Sequence, residues 1–164
     1  MRRLQYQKNP EYLIKMFNAI CKKNPKAKLV IVGTGKLETD IRIMCNERQL
    51  LHRVLFLGQR GEVMSLMQVF DCLVMLSRFE GLGITYIEVQ AAGLPCFGST
   101  EVSKEAGITN LMYYISLTED ADSWADKILS NSTMKRTNRY LEIKLAGYDI
   151  CDLAERLERF YLDF

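Results

Sequence analysis

No stretch of this chain stays apolar over the about 18 residues that a bilayer-spanning helix needs, and Met1-Arg2-Arg3 does not lead into the hydrophobic segment of a secretion signal. A membrane span and a secretory leader are therefore not expected, and the expected compartment is the cytoplasm. Histidine is close to missing, with His52 alone, and the five cysteines form neither a CxxC pair nor a Cys/His cluster, which excludes a structural zinc site. Cys21, Cys45, Cys72, Cys96 and Cys151 are odd in number and lie mostly in apolar runs, so they read as buried thiols in a reducing compartment. A surplus of one charge is also lacking. The 22 Lys and Arg against 20 Asp and Glu are interspersed, which argues against a general nucleic-acid or membrane-surface role. The sequon Asn131-Ser132-Thr133 has no secretion signal to serve. There is no internal repeat, low-complexity segment or linker.

What the chain does have is apolar material. Hydrophobic residues make up 48% of its 164 positions, enough to build one globular domain over residues 1–164 without disulfides or metal. Asn9-Pro10-Glu11 reads as an N-cap, a first-turn proline and an early acid, followed by Leu13, Met16, Phe17 and Ile20 at helical spacing as far as about Lys22. Leu29 to Val32 is a short strand closed by Gly33-Thr34-Gly35, with a helical stripe of Leu37, Ile41, Met44 and Cys45 after it. Val54 to Leu57 repeats the pattern, ending in Gly58-Gln59-Arg60 before a short helix at Val63 to Met67. A strand at Cys72 to Leu76, a helix at Ile84 to Ala92 and the break Gly93-Leu94-Pro95 before Cys96-Phe97 continue it. Strands alternating with helices predict an α/β fold, a Rossmann-like doubly wound parallel sheet covered on both faces. Met112 to Ile115 is expected as a last edge strand. Thr118-Glu119-Asp120 caps a helix through Leu129, and C-terminal helices are expected over Thr133 to Ala146 and Asp149 to Leu162.

In such a sheet, ligands bind beyond the carboxyl ends of the strands. Gly33-Thr34-Gly35, Gly58-Gln59-Arg60 and Glu80-Gly81-Leu82-Gly83 each follow a strand directly, so these loops can converge on one ligand. The first is not a dinucleotide fingerprint, because Glu38 stands where a third glycine belongs. The third loop carries the most information. Glu80 and Glu88 bracket a glycine-rich turn and the start of a helix, where unpaired N–H groups and the dipole favour phosphate. Each carboxylate can accept hydrogen bonds from sugar hydroxyls, one on the transferred sugar and one on a ribose. Taken alone, two glutamates at this spacing are ordinary solvated residues.

Phe79-Glu80-Gly81-Leu82-Gly83, Glu88 and Ala91-Ala92-Gly93-Leu94-Pro95, with Val32-Gly33-Thr34-Gly35 and Phe56-Leu57-Gly58, resemble the carboxyl-terminal half of retaining glycosyltransferases of family 4, which have the GT-B fold. Arg2-Arg3-Leu4, Gln7-Lys8-Asn9-Pro10 and Gly147-Tyr148-Asp149-Ile150 extend the likeness over nearly the whole chain, especially toward members that build bacterial capsular and exopolysaccharides. The resemblance implies that Glu88 holds the ribose of a nucleotide-sugar. It implies that Glu80 and the amides of Gly81, Leu82, Gly83, Ile84 and Thr85 contact the donor sugar and diphosphate, and that Arg3 and Lys8 neutralise the diphosphate leaving group. With those cations no metal is required. Similar enzymes commonly use uridine, so a UDP-sugar is the expected donor and a glycan or lipid-linked acceptor the expected partner, with the full-length enzyme peripheral at the inner membrane.

Two departures matter. Arg2 stands where the family usually has Gly, and the family's amino-terminal acceptor-binding domain has no counterpart in these residues. That domain supplies proximity and water exclusion, so this polypeptide is expected to bind nucleotide but transfer little or no sugar. The alternative is a non-catalytic nucleotide-binding or interaction module with the same fold. Arg60 can lie beside the base or pair with Glu62. Arg3 and Lys8 can also be an exposed basic strand end, His52 reads as a loop residue, Trp124 as core or domain-contact surface, and Lys104 and Glu105 as caps of a short helix.

Overall fold

Leu13, Met16, Phe17 and Ile20 fall on one stripe of α1 (Pro10–Lys23) and are buried, while Lys22 and Lys23 in its last turn complement the helix dipole. This computed structural model describes residues 4–133 and 135–163. Among them the order continues as β1 (Leu29–Val32), α2 (Glu38–Glu47), β2 (Val54–Gly58), α3 (Val63–Met67), β3 (Leu73–Met75) and α4 (Ile84–Ala91). It ends with β4 (Cys96–Ser99), β5 (Met112–Ile115), α5 (Ala121–Asn131), α6 (Tyr140–Leu145) and α7 (Ile150–Leu162). Single 3-10 turns lie at Tyr6–Lys8, Leu51–Arg53 and Lys104–Ala106.

Every strand pair is parallel, as the alternation of strands and helices requires. β1 runs beside β2 with Leu29 opposite Val54, and β4 lies between β3 and β5 with Phe97 opposite both Val74 and Tyr113. The expected sheet is interrupted, however. Its hydrogen bonding falls into the pair β1-β2 and the triple β3-β4-β5, because no described strand lies between β1 and β3. One apolar core still spans both groups: Ile31, Val54, Leu76, Phe97 and Ile115 pack with α1 and with Trp124, Ala125 and Ile128 of α5. Trp124 is fully buried, edge-on to Tyr12 at 6.4 Å, and donates its indole N–H to the Ser116 carbonyl at 2.9 Å. A second cluster, with Tyr86, Val89, Met75 and Leu94, covers the opposite face. Burying each such side chain contributes about 1.5–3 kcal/mol, so both faces are firmly covered.

Three expectations need correction, and Arg60 takes one of the two places the sequence left open to it. Asn9 is not a side-chain N-cap: its backbone is left-handed (φ 49°) and its Oδ1 accepts from Arg78 Nη2 at 3.0 Å instead. The segment expected as a helix from Thr133 is helical only over α6. Arg136 donates to the Gln68 carbonyl (2.7 Å) and the Phe70 carbonyl, and Thr137 packs its backbone against Gly93, which holds residues 135–139 out of a helix. Arg60 is exposed and ion-paired with Glu62 at 3.6 Å. Finally, the thiols are not uniformly buried. Cys45 and Cys96 are, Cys21 and Cys72 are half-buried, and Cys151 is exposed because α7 buries no residue. Burial pushes the Cys72 thiol up to about 12. Among the described residues no helix is long and apolar enough to cross a membrane.

Candidate functional site

Loops after parallel strands share one edge of the fold, and here the amino-terminal segment stitches two of them together. Leu4 donates its N–H to the Thr34 carbonyl after β1 (3.0 Å) and accepts from Leu37 N–H (3.2 Å). Three residues on, the Gln7 carbonyl accepts from Arg78 N–H (2.8 Å) and the Gln7 side-chain amide donates to the Phe79 carbonyl (3.0 Å), both in the loop after β3. Gly35 is required by this closeness, because a Cβ there would collide with the Leu4 backbone. Gly33 and Gly58 face each other across the ends of β1 and β2, where Gly33 N–H donates to the Gly58 carbonyl at 2.7 Å.

This stitching brings Lys8 onto Glu80. The two form an ion pair, each side chain only about a sixth exposed (16% and 17%). Ser77 Oγ donates to the same Glu80 oxygen at 3.0 Å, so the carboxylate is oriented from two sides. Arg78 lies 4.4 Å from the Tyr6 ring centroid, and its buried Nε has no hydrogen-bond partner among the described residues. A cation, a fixed carboxylate and an under-used guanidinium are therefore gathered at one strand end.

Immediately beyond, Gly83 takes the left-handed backbone (φ 66°) and leads into α4, with Tyr86 N–H donating back to the Gly83 carbonyl at 2.8 Å. Among the described residues the N–H groups of Gly81, Leu82, Gly83, Ile84 and Thr85 make no such backbone bond. These are the orphan donors of a helix start, and they can receive an anion. Tyr86 fixes the turn from below: its hydroxyl donates to the Met75 carbonyl at 3.0 Å, and burial holds it protonated far above the usual tyrosine range. Glu88, just over one turn in, is half-buried, with no ion pair or side-chain hydrogen bond among the described residues. Gln90 anchors the helix to the loop after β4, donating to the carbonyls of Tyr86 (2.9 Å) and Ala106 (2.6 Å) and accepting from Thr109 N–H (2.9 Å).

Of the residues singled out from sequence, Lys8 and Glu80 meet, and Gly81, Leu82, Gly83, Ile84 and Thr85 form the open helix start. Gly33 and Gly35 stand on the neighbouring loop. Arg60 is turned to Glu62 and to the Leu57 carbonyl (3.0 Å). Arg3 lies outside the described residues. Gln7, Ser77, Arg78 and Gln90 are contributors that sequence reasoning did not name as site residues. Only the polar run from Gln5 to Asn9 hinted at the first of them. Among the described residues no group of three or more His, Cys, Asp or Glu is placed to hold a metal ion.

Residues 1–144 match the family described as Glycosyl transferases group 1. The chain is 35% identical over 147 residues to the putative glycosyltransferase EpsF of Bacillus subtilis, covering 87% of this chain and 38% of that protein. It is 28% identical over 174 residues to the UDP-Gal:alpha-D-GlcNAc-diphosphoundecaprenol alpha-1,3-galactosyltransferase of Escherichia coli, covering 98% and 44%. The chain thus spans about two fifths of either relative. Its fold is similar to that of the pneumococcal O-GlcNAc transferase GtfA solved with UDP and GlcNAc, with TM-score 0.78, 17% identity, and 98% of this chain but 34% of that one covered. It is also similar to Anabaena HepE solved with UDP, with TM-score 0.77, 17% identity, and 100% and 48% covered.

Proposed function

Because the chain belongs to the group 1 glycosyl transferases, we propose that it is the donor-binding half of a retaining enzyme. That enzyme moves a sugar from a nucleotide-diphosphate sugar, a UDP-sugar foremost, to a glycan or lipid-linked acceptor in bacterial polysaccharide synthesis. The observation that carries this reading is the placement of the Lys8–Glu80 ion pair beside the open N–H groups of residues 81–85.

In this reading the diphosphate docks on those amides. Glu88, left without a partner, accepts the ribose hydroxyls, and Glu80 accepts hydroxyls of the donor sugar. The bond between the anomeric carbon and the phosphate oxygen breaks and one from that carbon to an acceptor oxygen forms with the same configuration. The acceptor hydroxyl passes its proton to the departing diphosphate oxygen, on which negative charge grows as the bond breaks. Lys8, with Arg3 five positions before it in sequence, offsets that charge in the manner of a metal cation, and such fixed charges lower a barrier because they need no reorganisation. Gly33 and Gly35 meet the nucleotide beside β1 through their backbone, Gly35 with Leu4 packed against it, and Arg60 stands on the adjoining loop after β2. The relatives' greater length supports an acceptor-binding domain outside these residues, so the isolated chain binds nucleotide and transfers little. The UDP named with GtfA and HepE, and the UDP-Gal donor of the Escherichia coli relative, support uridine as the base. Five free thiols accord with a cytoplasmic site of action.

Calorimetric titration with UDP, GDP and ADP tests this. Saturable binding of UDP, weakened about tenfold or more by Glu88→Ala and by Lys8→Ala, is expected, a loss of about 1.4 kcal/mol each. Absence of binding to all three at millimolar concentration, or binding indifferent to both substitutions, refutes it.

A further inference from the structure

Lys8 is held between two fastenings, and both of them end on Arg78. On its amino side the Gln7 carbonyl accepts from the Arg78 backbone N–H at 2.8 Å. On its carboxyl side the Asn9 Oδ1 accepts from Arg78 Nη2 at 3.0 Å. The guanidinium also lies 4.4 Å from the centre of the Tyr6 ring, so one side chain reaches from Tyr6 to Asn9 along the turn that carries Lys8. Arg78 stands two positions before Glu80. A single residue thus fixes the frame in which the cation and the carboxylate of the ion pair meet.

The backbone of Asn9 needs such a fastening. It is left-handed (φ 49°, ψ 50°), a conformation that a residue with a side chain keeps only where its surroundings impose it. Asn9 is also only 5% exposed, so its side chain depends on the protein for a partner. This one residue turns the chain from the Tyr6–Lys8 turn into α1: its N–H donates to the Tyr6 carbonyl at 3.1 Å, and its carbonyl accepts from Leu13 N–H at 3.2 Å. Relaxing it would swing Lys8 away from Glu80. The Arg78 side chain is constrained in the same way. Its Nε is buried without a partner among the described residues, a cost that an arginine serving only as a surface cation avoids by turning to water. The stack on Tyr6 sets the guanidinium plane and leaves Nη2 aimed at Asn9, a use that calls for a planar fork instead of a point charge.

We propose that Arg78 is a positioning residue: through Asn9 and Tyr6 it sets the turn from which Lys8 reaches Glu80 and the departing diphosphate. The mention of the diphosphate rests on the proposed donor site. Arg78 itself does not meet the nucleotide and acts on it only through Lys8.

The test reads Lys8 directly. The unsubstituted chain, Arg78→Lys, Asn9→Gly and the double variant are treated with limiting acetic anhydride, and acetylation of each lysine is followed by mass spectrometry. Arg78→Lys keeps the charge and loses the fork, while Asn9→Gly removes the acceptor and puts no strain on the left-handed backbone. In the unsubstituted chain Lys8 is ion-paired and 16% exposed, so it should react slowly. It is expected to react about tenfold faster in either single variant, the effect of losing one hydrogen bond from a charged donor, and no faster still in the double variant. Lys23, ion-paired with Asp126 at 2.6 Å between α1 and α5, should keep its rate. Should Arg78→Lys fail to fold, Asn9→Gly decides alone. Unchanged Lys8 reactivity in a folded variant overturns the proposal, and so does a rise of Lys8 and Lys23 together, which is general loosening. Titration with UDP should show Arg78→Lys weakening binding at least about threefold, and having no effect in a chain that already carries Lys8→Ala. Equal weakening with and without Lys8 places Arg78 on the nucleotide itself and overturns the proposal. If the unsubstituted chain binds no nucleotide, the donor-site reading fails, while acetylation still decides the role of Arg78.

Discussion

Replacing Glu80 by Gln should tighten binding of a bare nucleoside diphosphate and loosen binding of the full nucleotide-sugar. In the unliganded site Lys8 is already neutralised by Glu80, and both side chains are largely shielded from water, at 16% and 17% exposure. A diphosphate arriving at the amides of residues 81–85 must share Lys8 with that carboxylate and feel its repulsion. At an effective dielectric of about 20, a unit charge about 7 Å away contributes about 2 kcal/mol, and mobile ions reduce this to about 1 kcal/mol at physiological salt. Removing the charge while keeping the shape should lower the Kd for UDP about fivefold. For UDP-galactose or UDP-glucose the lost charged hydrogen bond to sugar hydroxyls costs about 1.5–3 kcal/mol, which outweighs the gain. Ser77 Oγ can still donate to the Gln side-chain carbonyl, so the loop should keep its place. Calorimetry at low and high salt reads both effects, with the gain for UDP shrinking as salt rises. If Glu80→Gln weakens UDP, or shifts UDP and the UDP-sugars in the same direction, the proposed roles of Lys8 and Glu80 are wrong.

Other outcomes follow from the packing and the titrating groups. Gln90 is fully buried, and Gln90→Leu would leave the Ala106 carbonyl and the Ile108 and Thr109 N–H groups unpaired, costing about 2–5 kcal/mol and lowering Tm by roughly 5–15 °C in a thermal melt. The Tyr140 hydroxyl, together with the Asp152 and Cys151 N–H groups, holds Asp149 below its ordinary 3.8. A depressed carboxyl contributes stability that is present above its unfolded value and lost as pH falls through its folded one. α7 should therefore loosen at pH below about 4, and Asp149→Asn should flatten that acid limb of the helical signal. With Cys72 pushed up to about 12 and Cys45 and Cys96 buried, a disulfide reagent at pH 8 should modify Cys151 first. Mass mapping that finds Cys72 or Cys96 labelled earlier contradicts the packing described.

β1 and β5 were legible to the residue, because Leu29–Val32 and Met112–Ile115 are β-branched or aromatic runs bounded by turn-formers. The glycine loop and α4 were legible for the same local reason, with Gly83 marking the left-handed turn. Failures came where distant partners decide. Asn9 looked like an N-cap, yet its side chain is taken by Arg78, which lies 69 positions away. The Thr133 segment has helical spacing, but Arg136 gains more by reaching the Gln68 and Phe70 carbonyls. Nothing local announced that Lys8 closes on Glu80. Nor did anything local announce that the hydrogen bonding of the sheet divides into a pair and a triple among the described residues.

The stitches from Gln7 and Lys8 to the loop after β3 also set a schedule for synthesis. Lys8 and Glu80 are 72 positions apart, and a ribosome adding about 5–20 residues per second needs roughly 4–14 s to bridge them. Throughout that interval Leu4 can already bond Thr34 and Leu37, but Gln7 and Lys8 have nothing to clasp. The proposed diphosphate site thus cannot form until about half of the chain has been made. A ligand that binds there would mark only molecules whose translation has passed α4.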